Sequence, residues 1–301
     1  ISIVPQDQDD FYDLFDLGIS PNEMYVAVGY VGSYTSVPGY LRVFSLLDGS
    51  LVAEFEAMGG VIDLAWRSDS NQIATKVVTA GLNGLTYLKV WDINARSEVY
   101  EKLLGINAPS SGVFWADSGL LYYVISTQTI QALDTTNWQS VSSYTSDNFV
   151  YYPINEIAVS PDNMFIVGAN DLPAVTIWQL DTGETVFEYN DVSEEDIAYI
   201  NKIGWNDSGQ MLGNEKRNSN LVLNITNIIY TIPLQAGQGH GVAWLNDSSL
   251  LLPLGSELSV MLFPTANAGA DQTLTADAQG NALVTLDGSA STDPDGTIVS
   301  Y

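Results

Sequence analysis

Residues 156 to 191 read "EIAVSPDNMFIVGANDLPAVTIWQLDTGETVFEYND". A short apolar strand runs to Val159, a polar Ser-Pro-Asp-Asn turn follows, and a second apolar strand comes after it. "VTIWQL" then ends a third strand at Leu180, and "TVFEYND" supplies a fourth. β-Branched and aromatic residues at period two, broken by turn residues, mark strands. No window of the chain shows sustained helical periodicity.

The same unit recurs. "DLGISPNEMYVAV" starts at Asp16, "DLAWRSDSNQIAT" at Asp63, "SGVFWADSGLLYYV" at Ser111, "KIGWNDSGQMLGN" at Lys202 and "GVAWLNDSSLLLP" at Gly241. The last bulky residue before each turn is Ile19, Trp66, Trp115, Val159, Trp205 or Trp244, at intervals of 47, 49, 44, 46 and 39. Third strands end at Leu46, Ile93, Thr135, Leu180, Thr226 and Phe263, and a fourth follows in every unit but the last. Four strands per 40 to 50 residues, six times over, predict an all-β fold: a six-bladed β-propeller spanning 1–263. The N-terminal "ISIVP", residues 1 to 5, is a strand without its own unit. Pairing it with 257–263 closes the ring and removes an exposed edge; a seventh blade built with upstream residues is the alternative closure.

Composition narrows the function. Nine basic residues face 36 acidic ones, a net charge of −27. Phosphate binding needs clustered Lys and Arg, so nucleic acid is excluded as a partner, and docking on anionic lipid is disfavoured. Charged residues are only 15% of the chain, against roughly 25% in ordinary domains, and the polar surface is mainly uncharged. That balance reads as secreted or surface-exposed rather than salt-adapted. Cysteine is absent, so no disulfide, thiol nucleophile or thiolate metal site exists. No apolar run approaches the 18 residues of a membrane span, so no membrane insertion is expected in this segment. The start at Ile1 rather than Met fits a processed or trimmed chain.

Several residues resemble the WD-repeat family. Trp91 and Asp92 form a Trp-Asp pair ending a third strand, Trp178 takes the matching place beside Gln179, and Gly239-His240 precedes a first strand. The other units depart from the motif. The resemblance implies a ring-shaped interaction platform and transfers no particular partner.

After Phe263 the composition changes. Residues 264–301 carry "ANAGADQTLTA", then "VTLDGSASTDPDGTIVSY", which closely resembles the opening half of a PKD-type domain, an immunoglobulin-like β-sandwich. About 38 residues cannot bury a two-sheet core, so the partner strands belong to a longer parent chain or to another molecule. The resemblance implies an extracellular spacer or adhesion module.

Catalytic chemistry is sparse. His240 is the lone histidine, which removes two-histidine zinc sites, and no nucleophile-elbow motif accompanies it. Its bland reading is a residue at the entry to a blade. Paired carboxylates for glycoside hydrolysis remain open, because 36 acids guarantee pairs somewhere. Asp293 and Asp295, with Asp287 nearby, suit Ca²⁺ or simply form a type I turn. Sequons occur at Asn206, Asn224 and Asn246; two of them are the repeat's own turn, so turn chemistry explains them more cheaply than glycosylation.

The irregular loops lie mostly between second and third strands or between blades, and therefore emerge on one face. They place Tyr30, Tyr34, Tyr40, Tyr144, Phe149, Tyr151 and Tyr152 beside Glu194, Glu195 and Asp196. Aromatics among acids suit contacts with protein or glycan; packing between blades is the alternative for any one ring. The sequence thus predicts a non-enzymatic extracellular or cell-surface protein that adheres to protein, to surface glycan or to copies of itself, with no cofactor. The competing class is a secreted propeller enzyme acting on polysaccharide.

Overall fold

The computed structural model describes residues 13–31, 38–79, 84–106, 108–109, 111–150, 152–170, 174–190, 200–206, 209, 211–215, 219–224, 227–233, 243–246, 249–254, 257–262 and scattered positions from 267 to 293. Among them the chain is all-β, with two short 3-10 turns at Asp147–Phe149 and Gly288–Ala290.

The first sheet holds β1 (Asp13–Ile19), β2 (Tyr25–Val31), β3 (Tyr40–Ser45) and β4 (Leu51–Glu56). The second holds β5 (Gly60–Trp66), β6 (Gln72–Val78), β7 (Leu85–Asp92) and β8 (Ser97–Ile106). In the third are β9 (Val113–Trp115), β10 (Leu120–Ser126), β11 (Thr129–Asp134) and β12 (Gln139–Thr145). The fourth comprises β13 (Ile154–Val159), β14 (Phe165–Asn170), β15 (Ala174–Gln179) and β16 (Thr185–Asn190). The fifth comprises β17 (Ile200–Trp205), β18 (Met211–Glu215), β19 (Ser219–Asn224) and β20 (Asn227–Pro233). β21 (Ala243–Asn246), β22 (Ser249–Leu254) and β23 (Glu257–Leu262) make a three-stranded sixth sheet. Every sheet is an antiparallel meander in chain order. First strands touch in succession, β1 on β5, β5 on β9, β9 on β13, β13 on β17 and β17 on β21.

Two irregularities repeat, and both have a physical use. Each fourth strand from β4 to β20 skips a residue near its start, at Val52, Val99, Val141, Val186 and Ile229, and β8 skips a second at Leu104. Such bulges twist an outer edge away from further pairing. First strands bulge too: the register slips just before Asp16, Asp63 and Glu156. The first-to-second turns place Glu23, Ser70, Gly119, Asn163 and Gly209 at one left-handed position, with φ from 56° to 85°.

The core sits between sheets. Trp66 and Leu64 close over Gly18 of the first sheet, while Ile157 and Val159 of β13 join a cluster with Ala132 and Tyr144 of the third. These inward positions are almost wholly buried in β5, β9 and β13. Their counterparts in β1, Leu17 and Ile19, are 55% and 59% exposed. The face of the first sheet that looks away from the second is open at its innermost strand.

Residues 1–5, the closing strand of the sequence reading, lie outside the described residues. From 267 to 293, Asn267 N donates to Ser291 Oγ at 2.9 Å. No described strand pair of a sandwich forms there.

Candidate functional site

The first strands enclose a cavity of about 450 Å³, lined by residues of the first five sheets, among them Ile19, Asp63, Trp66, Trp115, Glu156 and Trp205. The wall is built by the repeat itself. Bulges turn Asp16 and Asp63, each three residues before its marker, toward the next sheet. Asp16 Oδ2 accepts a hydrogen bond from Leu64 N at 3.0 Å. Asp63 Oδ2 accepts from Gly112 N at 2.6 Å and from Val113 N at 3.0 Å. Charge-assisted bonds of this kind are about twice as strong as neutral ones.

The indoles point the other way. Trp66 Nε1 donates to Gly18 O at 2.8 Å, and Trp205 Nε1 to Ala158 O at 3.4 Å. Trp115 breaks the series: its buried Nε1 has no hydrogen-bond partner among the described residues. The Arg67 guanidinium lies 5.6 Å from that ring.

A second charged group is sealed beside the wall. Lys76, paired across the strands with Asp63, is fully buried. Its Nζ donates to Pro109 O, Ser111 O and Val124 O at 2.9, 3.2 and 2.7 Å. Burial pulls its ammonium down to about 7, against the attraction of Asp63. All three donors are used, so this amine is held as a tie, not presented to a substrate.

Sequence reasoning passed over Asp16, Asp63 and Lys76. The signal for the acids was present: Asp16, Asp63 and Glu156 each stand three residues before a marker. Nothing in the sequence alone marks a lysine in "QIATKVV" as buried, since it interrupts an apolar strand like any surface residue.

The aromatic face expected from the loops is corrected in part. Tyr30, Tyr144 and Phe149 are 3%, 2% and 0% exposed, so none belongs to an exposed partner-binding face. Tyr30 packs with Val26 and Val28. Tyr144 donates its hydroxyl to Leu180 O at 2.9 Å and lies between the rings of Tyr122 and Trp178. Phe149 is carried inward by a 3-10 turn whose cap, Ser146 Oγ, accepts from Asn148 N. Aromatics at loop edges gain more from burial than a loop gains from solvation. Tyr40 is half-buried, with the Arg42 guanidinium 5.2 Å from its ring. Tyr152 is 44% exposed. Tyr34, Tyr151, Glu194, Glu195 and Asp196 lie outside the described residues.

Asp287 accepts from Ser289 N at 3.0 Å, and bonds from Ser289 hold its carboxyl below the usual range. It acts as a turn cap. Asp293 is half-buried, and Asp295 lies outside the described residues. No group of three metal-ligating side chains occurs among the described residues. Asn206 is 3% exposed, which leaves no room for a glycan on its amide. The side chains of Asn224 and Asn246, and all of His240, fall outside the described set. No described helix is long and apolar enough to cross a membrane.

No protein-family model matches the chain, and no curated protein matches it either. Among solved structures, it is similar to a chain titled hydrazine synthase of Kuenenia stuttgartiensis. The TM-score is 0.64 at 14% identity, over 83% of this chain and 76% of that one. At that identity the likeness concerns the fold alone.

Proposed function

We propose that the protein is a β-propeller of six blades acting as a non-enzymatic interaction platform at the cell surface, adhering to surface glycan or protein or assembling with its own copies. In this reading residues 1–5 complete the sixth sheet and close it against β1, and residues 264–301 form part of a PKD-type stalk. One observation carries the reading. The carboxylates of Asp16 and Asp63, set by the repeat at the inner wall, are committed to backbone amides of the next sheet. Acids spent on joining sheets serve a rigid scaffold that presents its turns, and loops on such a scaffold are where binding concentrates.

A polysaccharide-cleaving enzyme is the second reading, favoured by Asp63 and Glu156 lining one cavity. Coated surfaces separate the two. The full chain is to be applied to immobilised acidic polysaccharide, neutral polysaccharide and matrix protein, with release of reducing ends followed in parallel. Retention on one coating without product supports the platform. Product release abolished by a single Asp or Glu substitution overturns it.

A further inference from the structure

The first and second sheets meet at a cleft of about 250 Å³ on the face of their first-to-second and third-to-fourth turns. This face is opposite to the one where the sequence placed its aromatic loops. The lining is mainly polar and contains no carboxylate: Asn22, Ser70, Asn71, Asn94 and Arg96 surround it, with Val52, Ile93 and the half-buried ring of Tyr25 as its apolar part. In a chain with 36 acids and 9 bases, a concavity holding one cation and no acid is a marked local reversal of charge.

Arg96 stands where the repeat otherwise prefers glycine. Its φ is 52°, and the matching turn residues of the first and fourth sheets are Gly49 at 75° and Gly183 at 73°. A side chain in that region costs about 1–2 kcal/mol, so the turn accepts strain to place a guanidinium here. The third sheet also puts a large residue at the position, but Trp138 is used up by stacking on Tyr100 at 4.2 Å. Arg96 instead gives one bond, from Nη2 to Val52 O at 3.0 Å, and makes no ion pair with any described residue. Four of its five donors are left over. Around it, Asn94 Nδ2 donates to Asn71 Oδ1 at 2.9 Å, and Ser70 Oγ accepts from Asn22 N at 3.1 Å. The remaining amide and hydroxyl capacity is the kind that satisfies ring hydroxyls.

We infer that this cleft binds a carboxylated sugar, with Arg96 taking the carboxylate by its planar fork and Asn22, Asn71 and Asn94 taking hydroxyls. Asn22 Oδ1 and Asn71 Oδ1 already accept bonds within the turns, so a bare anion would leave the side-chain N–H groups of Asn22 and Asn71 and the carbonyl of Asn94 without use, and a neutral sugar would leave the cation without use. The volume lies below the about 300–1,000 Å³ of drug-sized sites and suits one sugar residue. The nearest acids, Asp92 and Asp69, lie in the same turns but outside the lining, where each accepts a backbone bond, from Ala95 N and from Asn71 N. Screening over about 8 Å at physiological salt weakens the repulsion from more distant acids. The inference rests on the platform reading and names its ligand class.

The test is calorimetric titration of the full chain with a galacturonic acid trisaccharide, a neutral galactose trisaccharide and acetate. The uronate binds; the neutral sugar and acetate bind at least tenfold more weakly. Arg96→Gln lowers uronate affinity at least tenfold, and Arg96→Lys fails to restore it because a point charge lacks the fork. Asn94→Leu, which leaves the bond to Val52 O in place, weakens binding about fivefold with an unchanged urea midpoint. Equal affinity for the neutral sugar or acetate, or full uronate affinity in Arg96→Gln, overturns the proposal. No uronate binding by a chain that is still retained on a coated surface overturns the cleft assignment and spares the platform. Titration at the cleft together with polymer cleavage overturns the platform reading instead.

Discussion

Asp63 and Lys76 stand opposite each other in β5 and β6, and both direct their hydrogen bonds to the third sheet. The carboxylate takes two backbone N–H groups at Gly112 and Val113, while the ammonium gives to three carbonyls, at Pro109, Ser111 and Val124. Donor and acceptor together hold the crossing from the second sheet to the third.

Lys76→Met therefore strands three buried carbonyls and costs about 2–4 kcal/mol, since each unsatisfied buried polar group costs about 1–3 kcal/mol and the site relaxes in part. Asp63→Asn keeps an acceptor oxygen but loses the charge, and costs about 1.5–3 kcal/mol. The double variant loses less than the sum, because Asp63 attracts the Lys76 ammonium and either single change already removes that attraction. Urea unfolding of the three variants checks this. Single costs below 1 kcal/mol that simply add would contradict it.

The same lysine sets a pH dependence. Burial lowers its folded value to about 7 from an ordinary 10.5. Between those values the unfolded chain carries a proton that the folded chain lacks, so stability rises with pH, by at most about 1.4 kcal/mol per pH unit. Below about pH 7 both states are protonated and the slope vanishes. Burial raises Tyr30, Tyr100 and Tyr122 above 10, so above that pH the unfolded chain releases protons first and stability falls. Urea midpoints at pH 6, 8, 9 and 11 are expected to rise and then drop. In Lys76→Met the rise is absent.

Gly39 sits at another close approach. A Cβ built there would run into the backbone carbonyls of Gly59 and Tyr30, which cannot yield as a flexible side chain would. Gly39→Ala is expected to cost about 2 kcal/mol or more. Gly119→Ala, whose Cβ meets nothing within 4 Å but whose φ is 85°, costs only the conformational penalty of about 1–2 kcal/mol. Thermal unfolding of the pair ranks them, and the reverse order would contradict the geometry.

Sheet order and strand position were legible because the repeat fixes them: the turn between Val159 and Phe165, and its relatives, appear at constant spacing in the residues themselves. Side-chain direction at the bulges was not legible. One skipped residue reverses which face the next side chains occupy, and nothing in "DLGI" or "DLAW" announces the skip. Loop aromatics were misplaced for a related reason. Phe149 follows a polar Asp-Asn pair, and only the Ser146 cap and the inward bonds of Asn148 reveal that the turn folds inward. Arg96 was invisible because its meaning lies in the cleft lining, which holds no carboxylate although Asp69 and Asp92 stand in the adjoining turns.

The central claim, a closed ring that presents its turns as a platform, is tested most directly by cross-linking its seam. Leu17 and Ile19 are open on β1, whereas the equivalent Trp66 and Trp205 donate to Gly18 and Ala158 of the preceding sheet. By the repeat, Ile19 should meet Ala243, the small residue at the same position of β21. The chain has no cysteine, so Ile19→Cys with Ala243→Cys gives a single addressable pair. A short bis-maleimide is expected to yield an internally linked monomer in the doubly substituted chain and none in either single variant. Intermolecular dimers, or no linkage at all, would contradict the closed ring.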